Sequence, residues 1–289
     1  MVSTNLMAKV KIFAEMIKFE HTIFALPFAY LGAFLAVGGA PTLSQFLWIT
    51  LAMVGARTAA MSLNRIIDRH IDARNPRTAT RAIPRGLLSV GEVWVYTLLS
   101  FLLMGYAAAQ LNELCFKLMP IAIFFLVIYS YTKRFTWLCH LVLGIAIGLA
   151  PLGAWVAIRA AIELPGVVLG LAVATWIAGF DIIYACQDYE FDRTHGIYSI
   201  PARFGLAKAL LVARIMHALT VVLLVLTGVL VAAGWIYYLG VLITVGILIK
   251  EHSLVSPRDL SKLDIAFFNM NGIIAVLMFV FTLLDLFLR

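Results

Sequence analysis

The sequence predicts an all-α integral membrane protein with about nine transmembrane helices and a polar cap on the cytoplasmic side. Three observations predict it. Hydrophobic residues make up 63% of the 289 positions and charged residues 13%, where soluble domains run at roughly 45–50% and about 25%. Mean hydropathy is +0.99, more apolar surface than a soluble fold of this length can bury. The apolar residues also fall in runs near the roughly 20 residues needed to cross a hydrocarbon core. The same numbers exclude a disordered chain, a fibrous repeat and a secreted disulfide scaffold. Three cysteines without a CxxC pair support neither disulfides nor a zinc site.

The spans read as about 21–39, 43–63, 91–111, 115–132, 137–157, 164–183, 206–232, 235–250 and 265–287. The first begins near Thr22 and continues past Val37 with no small-residue cleavage site, so it reads as a helix that stays in the membrane. The second runs directly into Asn64–Asp72, and the fourth ends at Lys133-Arg134. The fifth carries Gly144 and Gly148 four residues apart, a spacing for close helix packing. The sixth carries Asp181 at its end, an ionisable group at an expensive depth. Trp48, Trp94, Trp137, Trp155 and Trp235 stand near span ends, as interfacial belts do. Arg159, Glu163 and Asp285 read as interfacial, His70 and His195 as solvated, and Cys186 as packing. The connectors are short apart from about 64–90 and 184–205, and residues 1–289 read as a single domain.

Orientation follows from the basic residues. With the N-terminus in the cytoplasm, 17 of the 22 Lys and Arg residues fall on cytoplasmic segments and three outside, while Arg57 and Arg214 lie within spans. Both long connectors are then cytoplasmic. In a soluble protein the net charge of +7 would suggest nucleic acid. Here the cations sit in short loops between apolar runs, so topology and anionic ligands account for them, and no nucleic-acid partner is expected.

The first connector opens with Asn64, Asp68 and Asp72 at i, i+4 and i+8, one face of a helix. The second holds Asp188 and Asp192 four apart, with Asp181 about two turns earlier and Tyr184 near the same face. Both acidic rows follow even-numbered spans, so both lie at one membrane level. Carboxylate, amide and water oxygens suit hard Mg2+, which favours phosphate oxygens. Two such rows can hold metal ions bridging one diphosphate, a general way to stabilise departing negative charge. Arg65, Arg69, Arg77, Arg81, Arg85, Lys133, Arg134 and Arg203 surround them. Arg77, Arg81 and Arg85 also serve as positive-inside anchors. A diphosphate head at the cytoplasmic face, with a tail among apolar helices, describes a polyprenyl diphosphate. A secondary transporter coupling ions through these acids is the competing class. Transporter sites lie near the bilayer midplane, whereas these acids cluster at span ends.

At these residues the chain resembles the UbiA superfamily of membrane aromatic prenyltransferases. NRIIDRHIDARNPRTATRAIPRG is similar to its NxxxDxxxD signature with an RTxxR tail. DIIYACQDYEFDRTHGIYSIPARFG resembles the second motif, and YSYTKRFT resembles the Tyr…LysArg segment between them. Within the superfamily the chain is most similar to 4-hydroxybenzoate polyprenyltransferases, although Glu190-Phe191 stands where many members have an aspartate pair. The resemblance implies a UbiA-type bundle and an Mg2+-dependent enzyme of the bacterial inner membrane. Such an enzyme transfers a polyprenyl group from its diphosphate to a small aromatic acid, in ubiquinone synthesis. A futalosine-route menaquinone enzyme using a naphthoate acceptor is the alternative within the family. The resemblance further implies that Asn64, Asp68 and Asp72 hold one Mg2+ and that Asp188 and Asp192 hold a second. Arg65, Arg69, Lys133 and Arg134 would contact diphosphate or acceptor. Asp181 and Tyr184 would lie near the reacting end of the prenyl chain.

Overall fold

The computed structural model describes residues 6–18, 22–263 and 265–289. It is helical throughout, with no strand among the described residues. Helix α1 covers Leu6–Met16, α2 Thr22–Val37, α3 Leu43–Arg74, α4 Val90–Leu111, α5 Glu113–Thr132 and α6 Cys139–Arg159. The second half comprises α7 Leu164–Ala185, α8 Tyr189–His195, α9 Ile200–Phe204, α10 Leu206–Leu230, α11 Trp235–Ser253 and α12 Asn271–Leu288. Among the described residues, eight helices are long and apolar enough to cross a membrane. The first expected span, α2, is only 16 residues long, about 24 Å at 1.5 Å per residue. It stops because Gly38 takes up a left-handed backbone at φ +70°. The ninth expected span begins as a π-helical segment, Ile265–Met270, before α12.

The helix starts are legible in their caps. Thr42 and Gln45 form a reciprocal capping box at α3, as do Ser89 and Glu92 at α4. Asn112 accepts from the Cys115 N–H at the start of α5. At the other end of the same chain of helices, Asp285 of α12 accepts from the N–H groups of Gly234 and Tyr237 at 2.8 and 3.2 Å, closing the start of α11. Expected at the interface, Asp285 is instead buried and paired with Arg289. Trp155 is likewise a buried tryptophan rather than part of a belt, its indole N–H donating to Glu163 at 2.9 Å.

Consecutive long helices pack side by side, and α12 returns to α2 so that the bundle closes on itself. The tightest contact is α6 against α7. A Cβ on Gly170 would come within 2.9 Å of the Gly148 carbonyl, and one on Gly144 would lie 3.1 Å from the Ala174 carbonyl carbon. The glycine pair at 144 and 148 therefore serves close backbone approach.

Two features position the polar end. Helix α3 continues unbroken for 32 residues, carrying Asn64–Asp72 beyond the apolar stretch on one continuous helix. The corresponding stretch of α7 is broken: a 3₁₀ turn, Cys186–Asp188, separates it from α8. Asp181, Asp188 and Asp192 therefore do not line one helix face as uniform spacing predicts, because 3₁₀ geometry turns 120° per residue. Helix α1 lies against this end too. Phe13, Met16 and Ile17 pack with Ile66, Leu88 and Val93, and Lys9 pairs with Glu92.

Candidate active site

The first acidic row sits on the last turns of α3. Asp68 is 1% exposed. Its Oδ2 accepts from Asn64 Nδ2 at 2.8 Å and faces Lys133 Nζ at 2.5 Å. Arg134 Nη1 stands 3.0 Å from Oδ1, outside hydrogen-bonding geometry. Arg134 instead donates to the carbonyls of Ser130 and Ile67, both at 2.7 Å, which joins the ends of α5 and α3. One turn on, Asp72 is buried and its Oδ1 accepts from Arg81 at 2.6 Å.

The helix ends at Asn75, which precedes Pro76 and adopts extended backbone, as residues before proline do. That turn reaches the second row. Asn75 Nδ2 donates to Asp188 Oδ1 at 2.9 Å, and Arg77 grips both oxygens of Asp188 at 3.0 and 2.5 Å. Arg77 also donates to the Tyr184 hydroxyl at 3.0 Å and lies over that ring. Burial works against the charge on Arg77, but the hydrogen bond and charge of Asp188 outweigh it and raise its pKa above the usual guanidinium value. Asp192 accepts from Ser199 Oγ at 2.8 Å. The Lys133 carbonyl accepts from Tyr198 N–H at 2.8 Å, so the link between α5 and α6 holds the second connector as well. Asp68, Asp72, Asp188 and Asp192 thus share one end of the bundle.

Some expected neighbours lie elsewhere. Arg69 donates to the Ile66 carbonyl of its own helix at 2.9 Å. Arg65 is buried and turned towards α1, donating to the Met16 carbonyl at 3.4 Å and to Asn64 Oδ1 at 3.3 Å. Asp181 meets neither acidic row but pairs with His140 Nδ1 at 2.7 Å. His70 and His195 are exposed, Cys186 is buried, and all three cysteines are free. Asn75, Ser130, His140 and Ser199 join the site without being expected from the acidic spacing. Asn75, Ser130 and Ser199 lie inside the motif strings, whereas His140 is a lone histidine in an apolar run and carried no signal.

Asp68 Oδ1 and Asp72 Oδ2 are buried with no hydrogen-bond partner. A buried carboxylate oxygen is costly unless a cation meets it: Arg134 stands 3.0 Å from Asp68 Oδ1, whereas Asp72 Oδ2 has no described counter-charge in contact. The two carboxylates are oxygen donors, which fits a hard divalent ion, while Asn64 turns its amide nitrogen to Asp68 and its Oδ1 to Arg65. Among the described residues no three His, Cys, Asp or Glu side chains converge closely enough to hold a metal by themselves. The acids lean instead on Lys133, Arg81 and Arg77.

The UbiA prenyltransferase family model matches residues 25–273. The chain is 33% identical to a Vibrio cholerae 4-hydroxybenzoate octaprenyltransferase over 82% of its length and 83% of that protein. It superposes on the apo structure of a UbiA homolog from Aeropyrum pernix with a TM-score of 0.84 at 34% identity, covering 92% of this chain and 98% of that one. A UbiA homolog from Archaeoglobus fulgidus, solved with DMAPP and Mg2+, shares the fold at a TM-score of 0.70 and 23% identity over 95% and 98% of the two chains. The chain is therefore a helical membrane protein and a prenyltransferase that belongs to the UbiA family.

Proposed function

We propose that the protein transfers a polyprenyl group from polyprenyl diphosphate to the ring carbon ortho to the hydroxyl of 4-hydroxybenzoate, releasing diphosphate, in ubiquinone synthesis. The observation that carries this reading is the joining of the two acidic rows by Asn75 and Arg77 at one end of an apolar bundle. The name of the Vibrio cholerae relative supports the acceptor. The ligands of the Archaeoglobus fulgidus homolog support a prenyl diphosphate and a divalent ion.

Asn64, Asp68 and Asp72 would hold one Mg2+, and Asp188 and Asp192 the second. Bound there, Mg2+ would neutralise the charge that builds on the leaving diphosphate. Lys133, Arg134, Arg77 and Arg81 surround the same position and bind phosphate oxygens, the arginines by bidentate forks. Arg65 and Arg69 supply positive charge from behind the row. Tyr184 and Asp181 lie towards the bundle interior, where the allylic carbon and the aromatic ring meet. The whole chain acts as one domain in the bacterial inner membrane, with its N-terminus and active site on the cytoplasmic side.

The test is direct. Membranes carrying the protein, supplied with a long prenyl diphosphate, 4-hydroxybenzoate and Mg2+, should yield the prenylated acid by mass. EDTA should abolish it. Full turnover in EDTA would remove the metal role, and a product formed only with a naphthoate would reassign the acceptor.

A further inference from the structure

His140 is 3% exposed in an otherwise apolar helix, and a buried imidazole needs partners for both nitrogens. It has them. The Ile200 N–H donates to Nε2 at 3.3 Å, so Nε2 is the acceptor and the ring proton resides on Nδ1. Nδ1 then donates to Asp181 Oδ2 at 2.7 Å. The other carboxylate oxygen, Oδ1, has no described hydrogen bond, and the Asp181 side chain remains 23% exposed. Asp181 precedes Tyr184 by three residues, which puts it on the same helix face about 4.5 Å deeper. Tyr184 touches Arg77, the residue that grips Asp188. A carboxylate with one oxygen tied and one open thus stands just below the diphosphate site.

We propose that His140 is a positioning residue that holds Asp181 so its open oxygen takes the proton from the acceptor ring. The inference rests on the prenyl-transfer reading above. As the ring carbon bonds to the prenyl carbon and diphosphate departs, that ring carbon carries both the new bond and its original hydrogen. The C–H electron pair returns to the ring and the proton passes to Asp181 Oδ1. The Ile200 N–H keeps His140 in the donating tautomer. It thereby ties this step to the turn that also carries Ser199, the partner of Asp192.

The experiment compares ordinary with ring-deuterated 4-hydroxybenzoate in membranes supplied with Mg2+ and a long prenyl diphosphate. Wild-type turnover in that assay reads out prenyl transfer itself; the variants read out the pair. His140→Ala should lower kcat by about 10–100-fold, the usual cost of losing an orienting partner, and leave the KM for the donor unchanged. A primary deuterium effect absent from the wild type should appear. His140→Asn restores a donor and should recover most of the rate while suppressing the isotope effect. Asp181→Asn keeps the hydrogen bond but cannot take a proton, and should cost about 10²–10⁴-fold in kcat, the range for a general base. Wild-type rates in His140→Ala or Asp181→Asn would overturn the proposal. So would a slowed His140→Ala with no isotope effect. If His140→Ala does not accumulate, His140→Asn and Asp181→Asn decide the question by the same criteria.

Discussion

At the residue scale, the acids are held by side chains far away in the chain. Arg77 approaches Asp188 in a fork while touching the Tyr184 hydroxyl. Asp188→Ala should lower prenyl transfer by about 100-fold or more, the scale of losing one preorganised electrostatic group, with the protein still inserted and folded. Arg77→Lys keeps the charge but loses the fork, so its rate should fall between wild type and Asp188→Ala. Turnover assays on both variants check the ranking. The four-residue spacing of acids was legible because helical periodicity is local. That Asp188 meets Arg77 and Asn75 was not, because the partners are separated by 111 and 113 positions. The RTxxR string contained Arg77 and Arg81, but only the fold shows which acid each one faces. Arg65 and Arg69 were equally plausible by sequence; in the fold Arg65 bonds the Met16 carbonyl of α1 and Asn64 of its own row, and Arg69 bonds its own backbone.

At the scale of elements, hydropathy located the spans but not their joints. The break at Cys186–Asp188 leaves no mark in an i, i+4 pattern, and α1 is too short and mixed to register as an apolar run. Gly144 and Gly148 were legible, because small residues four apart have few other uses in a span. Gly144→Val should wedge α6 from α7, since even a single Cβ there would lie 3.3 Å from that of Ala178. Overpacking of this kind costs about 1–3 kcal/mol, to be read as a lower midpoint of thermal unfolding in detergent. An unchanged midpoint would mean that the two helices can separate freely at that level.

At the scale of the whole molecule, closure depends on the last helix. Helix α12 packs on both α11 and α2, and Asp285 ties it to the start of α11. Asp285→Ala would leave two main-chain N–H groups without their acceptor and should cost about 1–2 kcal/mol. Since Asp285 lies at the end of the bundle away from the acidic rows, the KM for the prenyl donor should not move. Loss of stability without loss of affinity, measured on one preparation, separates this closure from the site. The sequence placed Asp285 at the interface because its burial comes from a partner helix 51 residues away.

The two acidic rows are mounted differently, and that difference sets which one can give way. Asp68 and Asp72 ride on the same uninterrupted rod that crosses the apolar layer, so shifting them means tilting all of α3. Asp188 and Asp192 hang from α7 through a single tight turn. A rotation within Cys186–Asp188 would therefore carry the second row alone, whereas no such joint lies beneath the first.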